Sequence, residues 1–513
     1  MSSAYNVVWF KRDLRLHDHT PLVKAAERGP VLCLYIVEPS LWAAPDAANQ
    51  HYRFILESLR ELYRALRQIG GQLHVVTGEV VDILDRLNAL APFQGLYAHE
   101  ETGNALSFQR DIAVGRWCRA HGVGWHEYPQ FGVVRRLSHR NLWQAAWEQH
   151  VAQPCRSQPV SLGFAALPWS STPPPTPEAL GLDPFQPANR QVGGRSQGLK
   201  IFQDFLVDRS KQYRGGLSSP LSAPSACSRI SPYLAYGCLS LREIVQATRR
   251  QILALPGGET RHKASLTAFI SRLYWHCHFI QKLESEPALE YCNMHRGYDG
   301  LREYDWNPAH FAALTAGRTG WPLVDACIAM LRETGWINFR MRAMLVSVAA
   351  YPLWLHWQPV GQWLARQFLD YEPGIHWSQM QMQSGTTGIN IPRIYNPIKQ
   401  AQDHDPRGLF VRRWLPALRR VPDCWLFEPW RMPADLQARC GLRVGESIAE
   451  PLVDLASATR TAKSRLFERR TNPEVRAAKK AIIEKHGSRK RSPSRSGKKT
   501  TSNSSATQLA LEL

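Results

Sequence analysis

Short apolar runs alternate with longer amphipathic stretches over the first 130 residues. YNVVWF (5–10), PVLCLYIVE (30–38), GQLHVVTG (71–78), FQGLYAHE (93–100) and GWHEYPQ (124–130) read as strands. Between them, HYRFILESLRELYRALRQIG (51–70) carries apolar residues at helical spacing and ends in Gly, and FQRDIAVGRWCRAHGV (108–123) is a further helix. Strands alternating with helices predict a doubly wound parallel-sheet α/β domain over residues 1–132. No GxGxxG follows the first strand, so a dinucleotide fingerprint is missing.

The pattern then changes. Residues 133–194 read as an interdomain linker, richest in Pro, Ser and Thr in LPWSSTPPPTPEALGLDPFQPANRQVGG (167–194). From 195 to 472 the apolar period is helical and Trp is frequent, which predicts an all-helical domain. Within it, GWINFRMRAMLVSVAAYPLWLHW (335–357) reads as one long apolar helix carrying Arg340 and Arg342, and placing Trp354 and Trp357 one turn apart. Residues 473–513 form a basic, Ser-rich tail expected to be disordered, adding either loose phosphate affinity or only solubility.

Composition narrows the class. The 513 residues are 44% hydrophobic, enough for large cores, and carry a formal net charge of +20, which favours an anionic partner, most simply nucleic acid. The ten cysteines include no CxxC pair, and WHCHF (275–279) with Cys292 lacks zinc spacing, so no metal is expected. No signal-peptide core and no membrane-length apolar run is visible, which predicts a cytoplasmic protein with reduced thiols and no membrane partner.

Three stretches carry candidate chemistry. YRGGLSSPLSAPSACSRISPYLAYGCLS (213–240) is dense in Gly and hydroxyls; Ser228 and Ser231 sit where a helix should open, either as phosphate ligands or as simple caps. Arg342, in an apolar helix, needs an anionic partner, and LDYEPGIHW (369–377) offers Asp370 and Glu372 for a bridge that is structural or functional. Among 18 tryptophans, Trp306 and Trp357 serve as core packing or as stepping stones for an electron. In the segment 384–418, Arg393, Lys399, Arg407, Arg412 and Arg413 are either phosphate contacts or solvated charge.

The stretches VVWFKRDLRLHDHTPL, CSRISPYLAYGCLS, TGWPLVDACIAMLRETGWINFRMRAM, RIYNPIKQAQDHDPRGLFVRRWLPAL and EPW (428–430) resemble, in order, photolyases and cryptochromes. The resemblance runs from about residue 5 to 465 and implies an N-terminal α/β domain followed by a helical domain that binds U-shaped FAD. It implies phosphate contacts at Tyr213, Cys227, Ser228, Arg229, Ile230 and Ser231, with Cys227 replacing the usual Thr. Phe269, Arg272, His276 and Trp336 fall at cofactor-lining positions. Arg342 and Asp370 match a salt bridge beside the flavin ring, and Glu372 a second acidic contact. His376 falls at the position facing flavin N5, where a His departs from the family's Asn, Asp or Cys and is expected to tune flavin redox state and proton supply, because imidazole titrates near neutrality. Trp306 and Trp357 match the outer and middle members of an electron chain; its inner member falls on Met380, with Trp377 the nearest alternative.

The substrate positions depart from the family pattern. Dimer-repairing photolyases usually keep a Glu three residues before Trp275; here it is Arg272. Their usual Asn before the cavity arginine Arg340 is Phe339, with Asn338 beside it, and a stacking Trp is replaced by Met382. Arg340 and Arg393 are the expected DNA contacts. Glu101, in HEETGNALSFQRD, matches the acidic residue of an antenna pocket for 5,10-methenyltetrahydrofolate or deazaflavin. The reading is a light-driven DNA photolyase acting on pyrimidine dimers in damaged DNA, with a cryptochrome photoreceptor as the alternative. It is expected to be a monomer, nucleoid-associated in a bacterium.

Overall fold

The fold is that of a computed structural model, which describes residues 5–165, 173–389 and 393–487. Five parallel strands, β1 (Asn6–Phe10), β2 (Val31–Val37), β3 (Leu73–Thr77), β4 (Gly95–His99) and β5 (Gly124–Tyr128), form a sheet of order β3-β2-β1-β4-β5. Asn6 pairs with Val31 on one side and Gly95 on the other. β1 and β2 are buried throughout, as continuous apolar strands in a two-sided parallel sheet must be. All five strands lie inside the runs read from the sequence.

The alternation of β1 divides two cores. Val7 and Trp9 pack against α3 (Val80–Leu90) and α4 (Ala105–Ala120). Val8 and Phe10 share a core with Phe54 and Leu62 of α2 (Asn49–Gln68), which follows the short α1 (Thr20–Ala26), and with Tyr233 and Leu266 of the helical half. Residues 133–165 are more than a connector: α5 (Trp143–Ala152) buries Trp143, Trp147 and Val151. Residues 166–172 of the expected linker lie outside the described residues.

The segment after β1 ties the halves together. Arg12 donates to the Ala235 and Tyr371 carbonyls, each at 2.8 Å, and Arg15 donates to the Gly237 carbonyl at 2.9 Å. Asp13 accepts from His19 Nε2 at 2.9 Å and His99 Nδ1 at 2.7 Å, while His19 Nδ1 accepts the Leu22 N–H. The atoms of Asp13, His19 and His99 that face one another are thereby joined by hydrogen bonds.

The helical half includes α6 (Thr260–Ser285), α7 (Phe339–Ala350), α8 (Trp357–Gln367), α9 (Pro373–Ser384), α10 (Leu455–Thr471) and α11 (Pro473–His486). Two expectations are corrected here. The single helix expected over 335–357 is two, α7 and α8, because Pro352 cannot continue the ladder and Trp354 takes a left-handed φ of 53°. Trp354 and Trp357 therefore do not share a helix. The tail expected to be disordered from 473 is helical to 486, held by buried Val475 and His486 and capped by the Asn472 side chain; residues 488–513 lie outside the described residues. All ten cysteines are free thiols, and no helix among the described residues is long and apolar enough to cross a membrane.

Candidate functional site

Two residues along a helix turn about 200°, so Arg340 and Arg342 diverge. Arg342 points inward. Its Nη1 and Nη2 donate to the two oxygens of Asp370 at 2.9 and 3.0 Å, and its Nε donates to the Ile337 carbonyl at 2.8 Å. The Phe368 ring lies 4.2 Å from the guanidinium carbon. The Asp370 side chain is 5% exposed. Burial alone would raise its pKa, but Arg342 and the Ser231 hydroxyl outweigh it and hold the carboxyl below its ordinary value.

Around this bridge lies the hydroxyl- and Gly-rich segment. Ser231 begins a five-residue helix, and Ile230 before it is buried. Arg229, with φ 60°, stacks its guanidinium 3.9 Å from Trp336. Asn338, at the start of α7, donates to the Leu217 and Ser218 carbonyls at 3.1 and 2.9 Å. Arg209 holds the other side, donating to the carbonyls of Cys227 and Ser228. Tyr213 shares a hydrogen bond with Arg272 and packs edge-on to Phe269 at 6.0 Å. The structure thus gathers Tyr213, Cys227, Ser228, Arg229, Ser231, Trp336, Arg342 and Asp370 from segments more than 150 residues apart.

A second group adjoins it. Glu372 sits 3.3 Å from Arg12, and burial pushes its carboxyl up to about 7 against the attraction of that guanidinium. His276 packs edge-on to Phe131 at 5.1 Å, and burial takes it down to about 4. His376 Nε2 lies 2.9 Å from the Gly361 carbonyl, so Nε2 carries the proton. Burial pushes His376 down to about 4, only partly offset by that hydrogen bond. The expectation that this imidazole titrates near neutrality is therefore corrected: the ring is neutral at physiological pH.

Trp357 opens α8 and donates its indole N–H to Asn293 at 2.8 Å. The Trp377 ring lies 6.0 Å from it, centroid to centroid, at 69°. Met380 is buried one turn further along α9. A Cβ at Gly361 would fall 2.6 Å from Trp377 and 3.3 Å from Met380, so the bare backbone there makes room for both. Trp306 is partly buried beside Phe311 at 5.0 Å and lines an open cleft of about 700 Å³.

The remaining residues form a looser set. Phe339 is 48% exposed, next to half-buried Arg340. Trp275 and Phe279 lie 5.7 Å apart on α6, and Met382 is half-buried on α9. Arg393 is exposed, while Lys399 and Arg412 are paired with Asp403 and Asp423 at 3.2 and 2.6 Å. Glu101 is not open: Arg110 donates to it at 2.6 Å and Lys11 stands 3.9 Å away. Sequence reasoning missed Arg12, Arg209, Phe368 and Gly361. Arg12 lies inside a stretch already singled out, but its partners are more than 220 residues away.

The donor set fits FAD. Arg229 Nε and Asn338 Oδ1 are buried with no protein partner, one a donor suited to a phosphate and the other an acceptor. Asp370 and Arg342 offer an acceptor and a donor of the kind a flavin ring's N–H and C=O groups need.

Comparison with known proteins agrees with this geometry. Residues 6–137 match the family model described as DNA photolyase, and residues 269–468 match that of the FAD binding domain of DNA photolyase. The chain is 27% identical over 496 residues to the Cryptochrome DASH of Gloeobacter violaceus, covering 89% of this chain and 94% of that protein. It is 24% identical over 476 residues to the deoxyribodipyrimidine photo-lyase of Alkalihalophilus pseudofirmus, covering 88% and 96%. Against the crystal structure of a bacterial class III photolyase from Agrobacterium tumefaciens, the TM-score is 0.81 at 25% identity, over 92% of this chain and 99% of that one.

Proposed function

The chain belongs to the photolyase/cryptochrome family with its FAD-binding domain, and from that membership we propose that it is a blue-light-driven DNA photolyase splitting pyrimidine dimers in damaged DNA. The observation that carries this reading is an aromatic and a basic group, exposed Phe339 and half-buried Arg340, at the start of the same helix that holds the Arg342–Asp370 bridge.

In this reading FAD, when bound, supplies the light-driven electron. Arg229, Ser228, Ser231 and Tyr213 hold its phosphates, and the unpartnered Arg229 Nε is the donor left for them. Arg342 and Asp370 fix the ring through a bridge that stays ionised because each side neutralises the other in a poorly solvated site. Trp336, Phe269 and Arg272 line the cofactor, with His276 and Glu372 beside them. His376, neutral and oriented by Gly361, presents an imidazole that adds no charge at pH 7. Asn338 fixes the start of α7, so that Phe339 and Arg340 are presented outward to a flipped-out lesion and its phosphate, with Trp275, Met382 and Arg393 around them. Trp377 is the inner member of the electron chain, since it and not Met380 lies ring to ring with Trp357; Trp306 completes the path. An antenna chromophore, folate or deazaflavin, belongs to the same reading, and Glu101 engages it only by exchanging Arg110.

The photoreceptor reading has one observation in its favour. The position where dimer-repairing enzymes usually keep a Glu is Arg272, and it is hydrogen-bonded to Tyr213. The test is to illuminate the flavin-loaded protein with oligonucleotides holding a cyclobutane dimer or a (6-4) product, and to analyse the strands. Restored thymines in either support repair; light-driven flavin reduction with both lesions intact makes the protein a sensor.

A further inference from the structure

Apart from the α10 face that helps line the cleft beside Trp306, the two C-terminal helices take no part in the site above. Each buries little: Ala462 and Leu466 on α10, Val475 and His486 on α11. They are pinned by ion pairs at their edges, Arg465 to Asp305 and Lys485 to Glu286, each at 2.7 Å. The sequence from 455 to the C-terminus nevertheless carries fifteen Lys and Arg against four Asp and Glu, more than half of the chain's net charge.

The unpinned cations are ordered. Arg460, Lys463, Phe467 and Arg470 recur at i, i+3, i+7 and i+10, one stripe along α10. Arg476, Lys479 and Lys480 recur at i, i+3 and i+4 on α11. None of these six cations forms an ion pair with a carboxylate among the described residues. Phe467, an apolar ring in the middle of the charged stripe, is 69% exposed. The stripes meet at a groove of about 400 Å³, walled by Phe467, Arg470, Arg476 and Lys479 and floored by His295 and Tyr298.

Crowding like charges on neighbouring helical positions is unfavourable unless something anionic answers them. A carboxylate-bearing partner would satisfy the cations but leave the exposed ring unused. A strand of nucleic acid uses both, because phosphates track a basic groove and any base stacks on an aromatic face. We infer that the α10–α11 groove is a binding surface for single-stranded nucleic acid, with a base on Phe467 and phosphates on Arg470, Arg476 and Lys479. It is separate from the proposed lesion chemistry, and its test uses undamaged DNA in the dark.

The experiment measures fluorescence anisotropy of a labelled sixteen-residue oligothymidylate with full-length, flavin-loaded protein from 50 to 300 mM salt. For R470A/R476A/K479A the expected result is at least tenfold weaker binding, with the slope of log K against log salt shallower by about 2, at about 0.7 per phosphate lost. F467A, a change at an exposed ring that leaves the fold intact, should weaken binding about tenfold with the slope unchanged. Wild-type affinity in both variants overturns the inference. So does a triple variant that loses poly-glutamate and oligothymidylate alike while F467A changes neither, since that pattern belongs to an acidic protein partner. Loss of dimer repair in the wild type, with these effects intact, defeats the photolyase reading and leaves this one standing.

Discussion

Removing Arg342 isolates a buried carboxylate. In R342A, Asp370 keeps the Ser231 hydroxyl, a backbone hydrogen bond and the more distant Arg229 guanidinium, in a site where its side chain is 5% exposed. Two outcomes are open to it. It stays ionised without its paired counter-charge, at about 3–5 kcal/mol. Otherwise it takes up a proton, and at pH 7.5 that costs about 5 kcal/mol, from about 1.4 kcal/mol for each pH unit above an ordinary carboxylate pKa. Both routes give the same size of loss. R342A/D370A removes the stranded charge as well, so it should recover at least about 2 kcal/mol of what the single variant loses. The pH sign follows from the lowered Asp370 pKa: the stabilisation is present above the unfolded carboxylate value near 4 and is lost as pH falls further, so wild type and R342A converge in acid. Denaturant midpoints of the flavin-free forms give the energies, and visible absorbance against protein gives flavin content, which should be near zero in both variants. A single variant that loses less than about 1 kcal/mol, or one that keeps full flavin, refutes the role assigned to the bridge.

Other expectations follow from the same geometry. W377F should slow light-driven flavin reduction at least tenfold in transient absorption while M380F leaves it near wild type; the reverse order would return the inner position to Met380. H376N should leave the pH dependence of flavin photoreduction between pH 5.5 and 8 unchanged, because burial holds His376 near 4 and any inflection in that range belongs to another group, such as Glu372 near 7; an inflection near 6.5 that disappears in H376N contradicts this. His376 also destabilises the fold as pH falls from about 6.5 toward 4, where the unfolded chain binds the proton more readily, and H376N should flatten that limb in thermal melts. R340A should keep its flavin, bind dimer-containing duplex about tenfold more weakly and lower the salt slope by about one.

The strands were legible because a parallel sheet covered on both faces demands unbroken apolar runs, and β1 and β2 have them. The Arg342–Asp370 pair was legible for a different reason: a guanidinium in an apolar helix needs an anion, and carboxylates follow soon after in the chain. The break between α7 and α8 was written in Pro352, but the apolar pattern on either side masked it. Helix α11 was hidden by its charge, since two buried side chains and a cap hold it and neither leaves a periodic trace. Arg12 and Arg209 act by donating to backbone carbonyls, which have no residue identity for a pattern to reveal. The state of His376 depends on burial by Phe368, Tyr371 and Trp377, a property of packing and not of spacing.

The most direct test of lesion repair is a single-turnover exposure to blue light of flavin-loaded, pre-reduced protein in excess over a thymine-dimer oligonucleotide, followed by absorbance at 260 nm. The expected result is recovery of the thymine absorbance in the wild type, with none in the dark and none in R342A. Dimers left intact in the light by a wild-type protein that holds reduced flavin would contradict it.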